Sequence, residues 1–309
     1  MALIQPPLMV TGGTHPARTM RMMIRDLARG SQGVTEGNDM RVWPLSTPGS
    51  GVRISDGSGI VRGAAWGQGS YTQYNVGDAL VPIAPTGAAG RNDLVVLRVE
   101  DPEYEGNRDP AGDDIGYFHV IPGVSATATE PPAGMTAIPL ARVALPANTA
   151  TVTAAMITDL RKIANPRRER RLHSYYPSTQ TDLKYNDNKW HNWPQGARWI
   201  IQVPPWAVSA HVVVTIAGLR MSGGDVWARM QTVLGNELGQ DTWIDDDQGN
   251  VARRQTVVLG DTIKINANIR GTLQPLSIQT YMYKAYSGDL SVNSGTSIYA
   301  DVEFTEGLT

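Results

Sequence analysis

Cysteine is absent from the 309 residues, which excludes disulfides, thiolate metal sites, iron–sulfur clusters and thiol nucleophiles. Stability must come from burial or from association. Charge is scarce as well: charged residues make up 18% and the formal net charge is -2. No general field is available to hold a phosphate backbone, so a dedicated nucleic-acid binder is disfavoured. Long apolar runs are missing. The most apolar window, residues 200–219, is interrupted by Gln202, Pro204, Pro205, Ser209, His211 and Thr215, which suits two strands around a Pro-Pro corner and not a membrane span. Residues 1–21 lack a basic stretch followed by an apolar core, so no signal peptide and no membrane insertion are predicted.

Catalytic signatures are equally sparse. There is no Walker loop, no HExxH and no GxSxG, and the glycine run Gly57 to Gly63 has its third glycine one place late for a dinucleotide loop and reads as a hairpin. The five histidines, His15, His119, His173, His191 and His211, form no i, i+2 or i, i+4 pair, so no metal site is assigned and no cofactor is expected. Carboxylates gather in residues 100–114 and at Asp245 to Asp247; solvated turns are favoured over cation sites, because Asp forms turns on its own account.

What is abundant is turn chemistry. With Gly 32 and Pro 20, the chain reads as many short strands joined by turns. One helix is predicted near the start, with Met20, Met23, Ile24 and Leu27 on one side, Arg18, Arg21, Arg25 and Asp26 on the other, and Gly30 as a stop. This apolar stripe needs a partner surface, in its own domain or on a neighbouring subunit. Strand signals then fall at 52–55, 60–64, 71–74, 79–84, 93–99, 117–121, 137–144 and 149–153, and a second series at 199–203, 210–216, 226–234, 255–259, 262–269, 276–283 and 297–304. The fold class predicted is mainly β: an N-terminal helix plus small β module over residues 1–164, a basic linker over 165–172, and a jelly-roll-like antiparallel β-sandwich over 173–309.

The linker carries Arg167, Arg168, Arg170 and Arg171. With acidic flanks and no basic companions, it reads as a solvated connection or as a strip that pairs with acidic surface of an adjoining chain. Aromatics are the most uneven feature, with 14 of the 21 in residues 173–309. The segment from Tyr185 to Trp193 shows no strand alternation and reads as a loop in which Tyr185, Trp190, His191 and Trp193 offer flat apolar faces beside hydrogen-bonding groups. Such faces suit sugar rings or a protein partner; the competing reading is that the rings fill a sandwich core or a subunit interface.

The order of motifs resembles a known family. Val52 to Gly63, Arg91 to Val99 with its acidic loop, Ile138-Pro139-Leu140-Ala141-Arg142-Val143-Ala144-Leu145-Pro146 and Ile157-Thr158-Asp159-Leu160-Arg161 are similar to the N-terminal module of minor tail proteins from long-tailed phages, especially those infecting actinobacteria. Val203 to Ala207, Arg270-Gly271-Thr272 and Gly288 to Phe304 resemble the C-terminal β domain of such proteins. The resemblance covers nearly the whole chain and implies a virion component of the tail tip or baseplate, assembled in the host cytoplasm, with other tail proteins and copies of itself, as a homotrimer, for partners. It implies no reaction, so the expectation is a non-enzymatic protein that takes part in host attachment. The alternatives are a free carbohydrate-binding module and a polysaccharide depolymerase whose carboxylates, Asp245 and Asp247 among them, meet across strands.

Overall fold

The chain divides into two units, residues Met1–Pro166 with Leu308–Thr309, and Arg167–Gly307. The structure is a computed structural model that describes residues 11–13, 15–183 and 187–309. The architecture is mainly antiparallel β with one N-terminal helix, as its composition predicts.

In the first unit, α1 (Ala17–Leu27) starts after Pro16, whose carbonyl accepts from the Thr19 N–H at 3.0 Å and from its hydroxyl at 2.7 Å. It ends in a paired turn: Arg29, at φ 52, donates to the Asp26 carbonyl, and Gly30, at φ 70, donates to that of Arg25. The orientation of α1 is the reverse of what its apolar stripe suggests. Arg18 and Arg21 each donate 2.9 Å hydrogen bonds to the carbonyls of Gly67 and Gln68, and Arg25 lies over Trp66. Met20 is 41% and Leu27 73% exposed. The short 3-10 turn Trp66–Gln68 offers bare carbonyls to the helix, and these take the arginine face in preference to the methionines.

The strands of this unit are β1 (Gly33–Val34), β2 (Val42–Pro44), β3 (Gly51–Ile54), β4 (Gly57–Arg62), β5 (Ser70–Asn75), β6 (Ala79–Pro82), β7 (Arg91–Val99), β8 (Gly116–Val124), β9 (Ala137–Leu145) and β10 (Ile157–Asp159). They form sheets ordered β1-β4-β5, β2-β3-β6 and β10-β9-β7-β8. Strand β7 is buried on both faces. Val95, Leu97 and Val99 join Val52, Ile54, Val61 and Ile138 in one core, while Leu94 and Val96 pack with Ala137 on the other side. This explains its unbroken apolar run. Residues 149–153, predicted as a strand, are irregular, with Val152 buried and its N–H bound to the Gly49 carbonyl.

The second unit contains β11 (Arg168–Tyr175), β12 (Thr181–Asp182), β13 (Trp190–Asn192), β14 (Arg198–Gln202), β15 (Ala207–Ser222), β16 (Val226–Leu234), β17 (Glu237–Leu238), β18 (Thr242–Asp246), β19 (Arg253–Lys264), β20 (Leu273–Met282), β21 (Asp289–Val292) and β22 (Ser297–Glu306). One sheet runs β11-β22-β15, with β19 on the far edge of β15 and β21-β12 continuing past a bulge. That bulge is at Gly218, φ 82, where β15 leaves β22 and takes β21 as its neighbour; a left-handed backbone favours glycine there. The other sheet places β20 beside β16, with β13 and β14 sharing the free edge of β20, and β17 and β18 that of β16. Ile298, Ala300, Val302 and Phe304 of β22 face Val226, Ala228 and Met230 of β16 across a common core.

The arginine run is not a linker. Arg168 to Arg171 lie within β11, and their charge is met inside the unit. Arg167 binds Glu306 at 2.6 Å, Arg168 reaches Glu303 at 3.4 Å, Arg170 holds Asp301 at 2.8 Å, and Arg171 holds Glu169 at 2.7 Å. Strand period places Arg168 and Arg170 on one face, where β22 presents Glu303 and Asp301 diagonally opposite. The strip therefore pairs with acidic residues of its own unit.

Candidate functional site

Strand alternation distributes the aromatic segment over different environments. Trp193 is a core residue, 4% exposed, so it is no contact residue. Residues Trp190 and His191 belong to β13 and not to a loop: the backbone pairs with Tyr281 and Thr280 of β20. Their side chains take opposite faces. His191 hydrogen-bonds Asp187 at 2.8 Å, and this contact holds the Asp187 carboxyl below the usual carboxylate range. Tyr185 lies outside the described residues.

Trp190 instead opens a row that runs across four strands. It is opposite Tyr281 on β20, Tyr281 is opposite Arg229 on β16, and Arg229 is opposite Trp243 on β18. The intervening residues Ala228, Met230, Ile244 and Met282 point into the core, so the row occupies the outer face. Arg229 is its centre: its guanidinium carbon lies 4.7 Å from the Tyr281 centroid and 5.3 Å from those of Trp190 and Trp243. Its charge is paired with Asp241 at 3.1 Å. Trp227 and Tyr283 back the row, with centroids 4.8 Å apart. Trp243 is half-exposed. Alongside runs a row of amides, Asn192, Gln279 and Gln231, in which Gln231 donates to the Gln279 oxygen at 3.0 Å.

Of the predicted contact residues that are described, this face takes in Trp190 and neither His191 nor Trp193. Tyr281, Arg229, Trp243, Trp227 and Tyr283 went unassigned, although the alternations Trp227-Ala228-Arg229-Met230-Gln231, Trp243-Ile244-Asp245 and Tyr281-Met282-Tyr283 mark one aromatic and one buried face.

In the acidic loop Glu100, Asp101, Glu103 and Glu105 are engaged by arginine or tyrosine, while Asp109 and Asp113 accept backbone N–H groups of the loop itself. Glu100 accepts from Tyr117 at 2.7 Å and pairs with Arg108 at 3.2 Å, which keeps its carboxyl below the ordinary value. Asp101 accepts from Tyr71 at 2.6 Å and pairs with Arg21 at 3.2 Å; burial and this bond push the Tyr71 hydroxyl far upward. At the second acidic cluster, Asp245 and Asp247 are exposed, while Asp246 is buried against Arg253 and Gln255. Burial pushes Asp246 up, but Arg253 holds it below the usual range. A cavity of about 350 Å³ in the first unit is lined by Glu36, Asp39, Asp56, Ser58 and Tyr74, and Asp39 there accepts the Glu36 N–H at 3.0 Å.

No protein-family profile matches the chain, and no curated protein does. Among solved structures, the VP2 subviral particle of infectious bursal disease virus aligns over 90% of this chain and 79% of that one, at 12% identity and a TM-score of 0.28. A family two carbohydrate esterase from Cellvibrio japonicus aligns over 45% and 34%, at 14% identity and a TM-score of 0.15. The insecticidal delta-endotoxin Cry8Ea1 from Bacillus thuringiensis aligns over 90% and 52%, at 8% identity and a TM-score of 0.20. Alignments this loose carry neither a family nor a function over to this chain.

Proposed function

We propose that the chain is a non-enzymatic structural component of a phage virion, a minor tail protein of the tail tip or baseplate, and that its second unit contacts host-surface glycan. The observation that carries the glycan contact is the row of Trp190, Tyr281, Arg229 and Trp243 across the outer face of one sheet. Aromatic faces beside amides match the alternation of C–H faces and hydroxyl edges on a sugar ring. The tail assignment rests on the order of motifs along the sequence. Self-association is supported by the exposed Met20 and Leu27 of α1, apolar side chains beside the part-buried Met23 and Ile24, and its form as a homotrimer rests on the resemblance.

The enzyme alternative requires a carboxylic acid held protonated near neutrality, together with a second carboxylate at a fixed separation. Among the described residues, each displaced carboxylate, Glu100, Asp159, Asp187, Asp246 and Asp301, is displaced downward. Those groups are ionised at neutral pH and serve as partners for arginine, histidine and tyrosine.

The test couples assembly with adsorption. Light scattering on the purified chain is expected to give a trimer mass, and Trp190→Ala with Trp243→Ala is expected to abolish binding to host envelopes while incorporation into tails continues. A stable monomer that fails to join tail components would favour the free carbohydrate-binding module. Loss of incorporation with adsorption intact would make the aromatic face an assembly contact.

A further inference from the structure

We infer that the aromatic face takes an internal stretch of a linear, uncharged glycan laid across the strands, in preference to a terminal sugar or an anionic one. The inference deepens the glycan reading above and rests on it.

Shape comes first. Trp190, Tyr281, Arg229 and Trp243 follow the cross-strand register and not a single strand. Three inter-strand steps give a row about 14 Å long, the span of roughly three linked hexoses. A terminal sugar is best held by a concave site that encloses most of its surface, whereas this row is on the outer face with a half-exposed tryptophan at one end. An open strip lets a polymer enter and leave at both ends.

Charge comes second. The cation at the centre of the strip is already committed: Arg229 is bound to Asp241 at 3.1 Å, and the centroids of Trp190, Tyr281, Trp243 and Tyr283 lie 4.7 to 5.7 Å from its guanidinium carbon. An anionic sugar would have to displace Asp241 and would meet Asp245, which stands opposite Trp227 in the next row. A neutral chain meets no such penalty.

Hydrogen bonding comes third. The amide row runs parallel to the aromatic row, one pleat away. With the Gln279 oxygen taken by Gln231, its NH2 is the group that remains to donate, and the exposed Asn192 supplies both a donor and an acceptor. A glycan lying along the rings presents its hydroxyl edge to this row at successive residues, which a single sugar cannot do.

The test is calorimetric titration of the full chain with cello- and chito-oligosaccharides of one, three and six residues. Hyaluronan serves as the anionic comparison. The expected result is no detectable monosaccharide binding, at least a tenfold gain from one to three residues, and equal hexasaccharide affinity whether or not the reducing end is converted to the alditol. Trp243→Ala and Trp190→Leu, at opposite ends of the row, should each weaken hexasaccharide binding about tenfold, with unchanged unfolding midpoints showing that both variants fold. A monosaccharide bound as tightly as the hexamer, dependence on a free reducing end, an effect at one tryptophan alone, or preference for hyaluronan would each overturn the linear, neutral site while leaving glycan recognition standing. Failure of every saccharide to bind would overturn the glycan reading together with this inference.

Discussion

Arg21 and Arg229 occupy the same kind of surroundings, a guanidinium among aromatic rings, and come to opposite ends. Arg21 lies 5.6 Å from the Tyr71 centroid and 5.5 Å from that of Tyr104, bound to Asp101 and Glu103, with its side chain 11% exposed. Burial works against its charge, but Glu103 and Tyr104 prevail and raise its pKa. Arg229 has four rings and one carboxylate, with its side chain 26% exposed. Where carboxylates and a carbonyl close around the cation, the rings become walls of a strut. Where rings outnumber carboxylates on an open sheet face, they become a surface.

The comparison sharpens most in the tryptophans. Trp193→Ala empties a core position and is expected to cost about 3–5 kcal/mol, whereas Trp243→Ala is expected to cost less than about 1 kcal/mol, both read from urea unfolding. Equal losses would break the distinction between core and surface rings. Next come the arginines themselves. Arg21→Met leaves the largely buried Asp101 without a cation and is expected to cost about 2–4 kcal/mol; Arg229→Met leaves the part-buried Asp241 with Gln240 as a remaining donor and is expected to cost less, about 1–2 kcal/mol, in the same experiment.

Acid discriminates further. Burial pushes Asp159 and Asp246 upward, but Arg161 and Arg253 bring both below the ordinary carboxylate value. The unfolded chain therefore binds these protons at higher pH than the folded chain does. Stability from these pairs is fully present above about pH 5 and is lost as pH falls through the depressed folded values. Asp246→Asn should flatten the dependence of unfolding free energy on pH below about pH 5, and an unchanged slope would refute the pairing with Arg253. The smallest effect is expected at Arg170, an exposed residue of β11: Arg170→Ala should move the denaturation midpoint less than any of the changes above.

Much of the fold was legible in the residues. The 3.6-residue period located α1 and the two-residue period located β22, because each repeats over enough residues to show. Period does not reveal what stands opposite, so the carbonyls of Gly67 and Gln68 that turn α1 onto its arginine face were invisible. In β11 both faces carry charge, which hides strand alternation in Arg-Glu-Arg-Arg. Strand β19 was read as two strands because Gly260-Asp261 looks like a turn, and the Asp245–Asp247 turn begins inside β18. The aromatic row was hidden for a different reason. Its four members come from four strands, and the cross-strand register that aligns them is written in no local pattern.

The neighbours of β22 carry one further consequence. It sits between β11 and β15, so the strand that opens the second unit, at Arg168, is held through Thr305 of the strand that ends it. A sheet wired in this way has high contact order, and its loop closure spans almost the whole unit. During synthesis the edges of β11 and β15 that pair with β22 stay open until residues 297–306 have been made. Folding of this unit therefore waits on β22 and is slow, and removal of residues 297–306 deletes the middle of a sheet.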